Sequence, residues 1–231
     1  MIATVFTPNG IVVATASYDK FYEYLESDDG TILSPITMDG LPHNYLFWGK
    51  YSLTYNILNS YSAEFSILSK FDELAGKWDA IPPIAEFMPY LKKLLVDNNI
   101  QIIGVVAAYD KDKGLSNIPF VYQILGENIR RINLDTEGHL NYNCVYLEKS
   151  PYIGKLLQQT QIKNGDIWED NQAVKLRCDL FSIHKSIDLC RFMLRTNYYV
   201  ENINSALYDN PLKADVTIIT KEKIETKLMD I

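Results

Sequence analysis

Hydrophobic periodicity changes along this chain in blocks, and that change restricts the fold more than any single motif. Ile2 to Phe6 and Ile11 to Ser17 are rich in β-branched residues, with Thr7-Pro8-Asn9-Gly10 between them. Proline presets one φ and Asn-Gly supplies positive φ, so the segment predicts a hairpin. Residues 18–40 are polar and tyrosine-rich, with short strands expected around Thr31 to Met38, and NYLFWG (44–49) reads as a further strand. Leu53, Ile57, Tyr61, Phe65, Leu68 and Phe71 then recur every three or four residues, the stripe of a long helix. Pro82 and Pro83 precede a second stripe of Phe87, Leu91, Leu94 and Leu95, which Pro89 opens or kinks.

Strand character returns in IIGVVAAYD (102–110), IPFVYQIL (118–125), Ile129 to Asn133 and HLNYNCVYL (139–147). Ser150-Pro151 carries the signature of an N-cap followed by proline at the first helical position, predicting a helix to about Gln159. Ser182 caps another, with Ile183, Ile187, Cys190 and Met193 or Leu194 inward, and ADVTIITK (214–221) is apolar enough for a central strand. The order is strands, two helices, strands, two helices, strand. There is no repeat, low-complexity segment or linker, so one domain over 1–231, a sheet layered with helices, is expected. A chain of 231 residues buries such a core without staples.

Charge and cysteine usage exclude several functions. Net charge is −7, and basic residues cluster only in short pairs such as Arg130-Arg131 and Lys92-Lys93. These read as solvated faces, so no nucleic-acid partner is expected. Three widely spaced cysteines, Cys144, Cys178 and Cys190, show no CxxC and argue against a disulfide framework or structural zinc site. Each reads as a small buried apolar residue. No apolar run approaches the ~18 residues of a membrane span, and the start lacks a signal-peptide pattern. A cytoplasmic protein without membrane contact is expected. His43, His139 and His184 lack HxxxH or HxH spacing, no GxSxG elbow is present, and no phosphate loop occurs, so no metal and no cofactor are expected. Asp110-Lys111-Asp112-Lys113-Gly114 lacks the closing acid of a calcium loop and reads as a polar turn. Spacing alone leaves a Ser-His-Asp triad open.

Four stretches carry a resemblance. TPNGIVVATAS, YLFWGK, VVAAYDKDKG followed by FVYQI, and SPYIGKLL followed by ADVTIITK stand in the order shown by the proteasome-type branch of the N-terminal-nucleophile (Ntn) hydrolases, which the chain resembles. The resemblance spans most of the chain and rests on shared order. Because the chain starts directly at the first strand, it resembles the β-type subunits. The implied fold is α+β, a four-layer α/β/β/α sandwich. Family members cleave amides with the side chain of their own first residue, usually threonine, whose α-amine acts as base at a pKa near 8. A lysine and an aspartate tune the pair, and a glycine amide at the start of the first helix donates to the oxyanion.

Aligned on Gly10, the resemblance places the nucleophile just ahead of Met1, and methionine has no attacking group. Removing Met1 exposes Ile2, which has none either, and trimming before so bulky a residue is poor, so Met1 is expected to persist. The aspartate position falls on Ala16. From Phe21 to Gly49 there is no lysine or arginine, so the activating cation is missing. The family's GSG reads Leu147-Glu148-Lys149, and only Gly49 keeps its counterpart. Asp209 reads as a turn residue. Cleavage before Thr4 would expose a threonine, but ~10 Å from the expected place at ~3.3 Å per residue. The degenerate positions are therefore Met1, Ala16, Gly49, Glu148 and Lys149, with Thr4 as the alternative nucleophile and no catalytic residue assigned.

Three readings follow. The first is a proteasome-like subunit without the N-terminal nucleophile, a structural or binding member of a homo-oligomer or of a ring with partner subunits, meeting its neighbours through 53–75 and 84–98. The second is an active Ntn-type amidohydrolase or threonine peptidase using Thr4 after processing. The third is a monomeric module binding a small molecule in the former active cleft.

Overall fold

A computed structural model describes residues 1–17, 25–26, 32–33, 43–47, 49–58, 67, 69–73, 76, 81–112, 114–147, 161–164, 167–170, 176–202 and 213–230. Strands β1 (Ile2–Thr7) and β2 (Gly10–Ser17) form the leading hairpin. Its turn is tied by the Thr7 hydroxyl, whose Oγ1 accepts the Asn9 and Gly10 amides at 3.1 and 3.2 Å. Neither Asn9 nor Gly10 has positive φ, which corrects the expected turn chemistry. Gly10 serves space instead: a Cβ there would lie 2.5 Å from Ile183 Cδ1 and 2.9 Å from the Ile219 carbonyl.

Two short strands, β3 (Leu25–Glu26) and β4 (Ile32–Leu33), pair with each other. β5 (His43–Phe47) and β6 (Tyr51–Ile57) follow, then helix α1 (Ile84–Asp97), β7 (Ile102–Asp112), β8 (Leu115–Leu125), β9 (Asn128–Arg131) and β10 (Asn143–Leu147). β11 (Gln161–Asn164) and β12 (Ile167–Asp170) form a separate hairpin. A 3-10 turn (Cys178–Leu180) leads into helix α2 (Ile183–Asn202), and β13 (Lys213–Ile219) and β14 (Ile224–Asp230) close the order. The Ser182 Oγ accepts the Lys185 amide at 3.3 Å, the expected cap. Ile187, Cys190, Met193 and Leu194 are buried as the stripe requires. β13 is central as expected, and β14, which its half-polar sequence concealed, covers its other edge.

Two five-stranded antiparallel sheets result, sheet I in the order β10-β1-β2-β13-β14 and sheet II in the order β5-β6-β7-β8-β9. Alternation along each strand divides the side chains between two faces. On sheet I, Ala3, Val5, Val12, Ala14, Ala214 and Val216 pack beneath α2. Ile2, Phe6, Ile11 and Val13 point the other way and meet Val105, Ala107 and Val121 of sheet II. The outer face of sheet II buries Leu53, Tyr55, Val106 and Ala108 against Phe87, Leu91 and Leu95 of α1.

The expected four-layer α/β/β/α sandwich is corrected by this arrangement. The described residues are mostly strand, in two stacked antiparallel sheets, and helices are few: α1, α2 and a short helical run at 69–73 beside the 3-10 turn. Among the described residues, α1 and the run at 69–73 on one outer face and α2 on the other fall short of the two helical layers expected. The error has a physical source. The spacing of Leu53 and Ile57 predicts a helix, yet both lie in β6. Residues 51–55 of β6 are all buried, because one face meets α1 and the other faces sheet I. Such a doubly buried strand shows no alternation, and an i, i+4 spacing within it is coincidental. The helix expected from Ser150 lies outside the described residues.

Candidate functional site

Of the positions that the sequence singled out, Met1, Thr4 and Ala16 belong to the leading hairpin or adjoin it. Register across sheet I puts Leu147, Ile2, Thr15, Asp215 and Leu228 in one row. Directly paired residues share a face. Ile2 and Leu147 belong to the core between the sheets, so Thr15 and Asp215 face it too. Asp215 is only 4% exposed, a buried acid on a central strand. The row two residues on runs Val145, Thr4, Val13, Thr217, Thr226. Thr4 is fully buried there, and its Oγ1 makes no hydrogen bond. Thr217 is better served, its hydroxyl standing 2.9 Å from that of Thr226.

Met1 lies half-buried against the cluster beneath α2. Ala16 pairs with Ala214 and also faces α2, on the side of the sheet opposite Asp215. Thr4 and Asp215 share a face but are separated by β2, so about two strand spacings, ~10 Å, lie between them. That is beyond hydrogen-bond reach. Gly49 stands at φ +67° in the turn from β5 to β6, with open space around it. A strand follows it rather than a helix, so its amide is not at a helix start. Glu148, Lys149 and Asp209 lie outside the described residues. Sheet I therefore gathers Met1, Thr4 and Ala16 on adjoining strands but divides them between two faces.

A second polar constellation lies at the start of α1. The Asp110 Oδ2 accepts the Ile84 amide at 2.7 Å, stands 3.2 Å from the Tyr51 hydroxyl, and lies 3.5 Å from Lys50 Nζ. Tyr51 also hydrogen-bonds the Pro82 carbonyl. Burial, then the nearby Asp110 charge, holds the Tyr51 phenol well above its ordinary range. The chemistry is structural: a carboxylate supplies the acceptor that Pro83 cannot, since proline offers no side-chain cap. Of the polar turn expected at 110–114, Asp110 to Asp112 belong to β7, and Gly114 stands in the turn to β8.

The cysteines, remote in sequence, converge. Cys178 of the 3-10 turn and Cys190 on the inner face of α2 are buried in one cluster, and Cys144 of β10 packs against it half-buried. No group of histidine, cysteine and acidic side chains fit to hold a metal occurs among the described residues. His139 is exposed, 3.4 Å from Asp135 and 3.5 Å from Glu137. No described helix is long and apolar enough to cross a membrane.

Two stacked antiparallel sheets in this strand order are similar to known structures. The chain shares its fold with Anbu. The structure of Anbu (ancestral beta-subunit) from Yersinia bercovieri is 13% identical, with a TM-score of 0.54 over 97% of this chain and 85% of that one. Anbu from Hyphomicrobium sp. strain MC1 is 11% identical, with a TM-score of 0.56 over 100% of this chain and 86% of that one. No protein-family model and no curated protein matches the chain. Membership of the β-type, proteasome-type Ntn hydrolases, degenerate at the nucleophile, is thereby corrected to a likeness of fold. At such identities, the Anbu likeness speaks to strand order and layer packing, and many sequences satisfy those with unrelated sites.

Sequence reading missed Asp215, Asp110 as a helix anchor, and the meeting of the cysteines. Asp215 had a signal: a lone acid inside ADVTII, between residues fit for a central strand. The cysteines had none, because strand register is invisible in spacing.

Proposed function

We propose that this chain is a proteasome-like subunit that serves as a structural or binding member of an assembly and performs no amide hydrolysis through its leading strand. One observation carries the reading. Thr4, the alternative nucleophile, sits in the middle of β1, fully buried and paired with Val13 on one side and Val145 on the other. Exposing its amine would remove Ile2 and Ala3, whose pairings join β10, β1 and β2. The place of an activating aspartate is taken by Ala16, and no lysine or arginine occurs from Phe21 to Gly49.

The likeness in fold to Anbu (ancestral beta-subunit) supports the subunit part. Tyr90 and Val96 of α1 and Phe192 and Tyr199 of α2 are exposed and offer apolar contact surfaces to further copies or partner subunits. Leu53 is withdrawn from that surface, being fully buried in β6. Sheet I draws strands from both ends of the chain, which supports a single domain. A cytoplasmic setting suits three free cysteines.

The test combines intact mass, labelling and light scattering. The expected result is an unprocessed chain, no covalent adduct with an electrophilic peptide probe, and a scattering mass of several chains. An adduct on Thr4 of a shortened chain would establish the amidohydrolase reading. A monomer at all concentrations would favour the small-molecule module.

A further inference from the structure

The three cysteines are not equivalent. Register places Cys144 opposite Val5 on the edge strand β10, facing the cluster beneath α2. The 3-10 turn that carries Cys178 packs on β1 and β10. Both cysteines thereby reach the same apolar cluster beneath α2, Cys178 within it and Cys144 packed against it. Cys190 is elsewhere engaged, fully buried with its sulfur 3.8 Å from the Ala3 carbonyl and 3.9 Å from that of Val12. Cys144 alone of the three is not fully enclosed.

We propose that Cys144 and Cys178 are a reversible dithiol–disulfide pair, with Cys144 as the attacking thiol and Cys178 as the resolving one, oxidised by a small-molecule disulfide such as glutathione disulfide. Cys144 thiolate attacks one sulfur of the oxidant. The oxidant's S–S bond breaks, one glutathione thiolate leaves, and a mixed disulfide forms on Cys144. The Cys178 thiol then gives up its proton and attacks the Cys144 sulfur, expelling the second glutathione. Two electrons and two protons pass from the cysteines to two glutathione molecules.

The asymmetry needed for this order is present. Hydrogen bonding from Cys178 holds the Cys144 thiol below its ordinary range, while the same bond and burial push Cys178 up. Thiolate fraction and access both select Cys144 for the first attack. Burial pushes the Cys190 thiol up and leaves it a bystander. The bond would staple edge strand β10 to the turn that leads into α2. That turn is already fixed to the leading hairpin, where Asn9 Nδ2 donates to the Phe181 carbonyl at 2.7 Å. Oxidation would therefore tighten the α2 side of sheet I by constraining the unfolded chain.

The experiment equilibrates the intact protein in glutathione buffers of graded ratio, quenches with acid, alkylates and measures mass before and after proteolysis. The expected product is two hydrogens lighter, has two fewer alkylated thiols, and yields one peptide pair linked Cys144 to Cys178. Its thermal midpoint rises relative to the reduced form. Cys178→Ser should accumulate a stable glutathione adduct on Cys144, Cys144→Ser should form no adduct on native Cys178, and Cys190→Ala should leave the linkage intact. A mixed disulfide on Cys144 that the native protein never resolves would overturn the proposal. So would linkage through Cys190, linkage only between chains, or thiols that stay reduced at every ratio. The native-protein measurement stands without the variants, should any of them fold poorly.

Discussion

The Asp110 carboxylate of β7 accepts the backbone amide of Ile84, the first residue of α1, at 2.7 Å. A helix start leaves its first amides without intrahelical partners, and here a neighbouring strand supplies the acceptor. The same oxygen faces Tyr51 and Lys50, so one side chain links β6, β7 and α1. Asp110→Ala should lower unfolding free energy by about 1–3 kcal/mol, the cost of leaving buried donors unmet. Asp110→Asn, which keeps an acceptor, should lose less. Lys50→Ala should cost under ~1 kcal/mol, because the lysine is 35% exposed and its ion pair is screened. Urea denaturation of the three variants measures this, and an Asp110→Ala midpoint equal to wild type would remove the anchoring role.

Gly10 makes a second prediction. A methyl there would meet the Ile183 side chain and the Ile219 backbone within 3 Å, and the backbone cannot step aside cheaply. Gly10→Ala should cost about 1–3 kcal/mol by overpacking. Gly126→Ala is the comparison, with open space but φ +61°. Its cost should be that of the left-handed backbone alone, ~1 kcal/mol. Equal and negligible losses at both sites in thermal unfolding would contradict the close contact of α2, β13 and the hairpin.

These sites show what was legible in the sequence. The hairpin was readable from two β-branched runs around Pro8-Asn9, although the turn rests on the Thr7 hydroxyl and not on positive φ. α2 was readable because Ser182 caps it and one apolar stripe faces a single sheet. β6 was not, since Tyr51 to Tyr55 are buried on both faces and two-sided burial erases the period of two. At the candidate site, the identities of Met1, Ala16 and Thr4 were legible. Their faces were not, because a residue's side of a sheet follows from register. Cys144 and Cys178 illustrate the same point: their meeting depends on where the 3-10 turn docks on β10.

Alkaline pH should weaken the fold through buried phenols. Burial, then the neighbouring Tyr142, raises the Tyr109 phenol from its ordinary 10.0 to about 12. A group whose pKa is higher in the folded state stabilises fully below its unfolded pKa and loses that contribution as pH rises through the folded one. Tyr109 should therefore contribute a fall in stability between about pH 10 and 12. Tyr45 and Tyr51 are also raised by burial and act in the same sense. Denaturant midpoints across this range should decline for wild type and decline less steeply for Tyr109→Phe. Parallel curves for the two proteins would show that the Tyr109 phenol is not held neutral by the fold.

Thr4 yields the prediction that bears most directly on function. Its hydroxyl is desolvated between the sheets and makes no hydrogen bond, while Val13 and Val145 flank it. A buried hydroxyl without a partner loses its bonds to water on folding, and removing it recovers that loss. Valine nearly matches threonine in shape and suits a central strand equally well. Thr4→Val should therefore raise unfolding free energy by about 1 kcal/mol. Its scattering mass and its lack of reaction with an electrophilic peptide should match wild type. A threonine retained for chemistry would behave oppositely, with the substitution abolishing an adduct that wild type forms. Thermal unfolding and probe labelling of the same two samples separate these outcomes, because the first reads the hydroxyl's solvation and the second its reactivity.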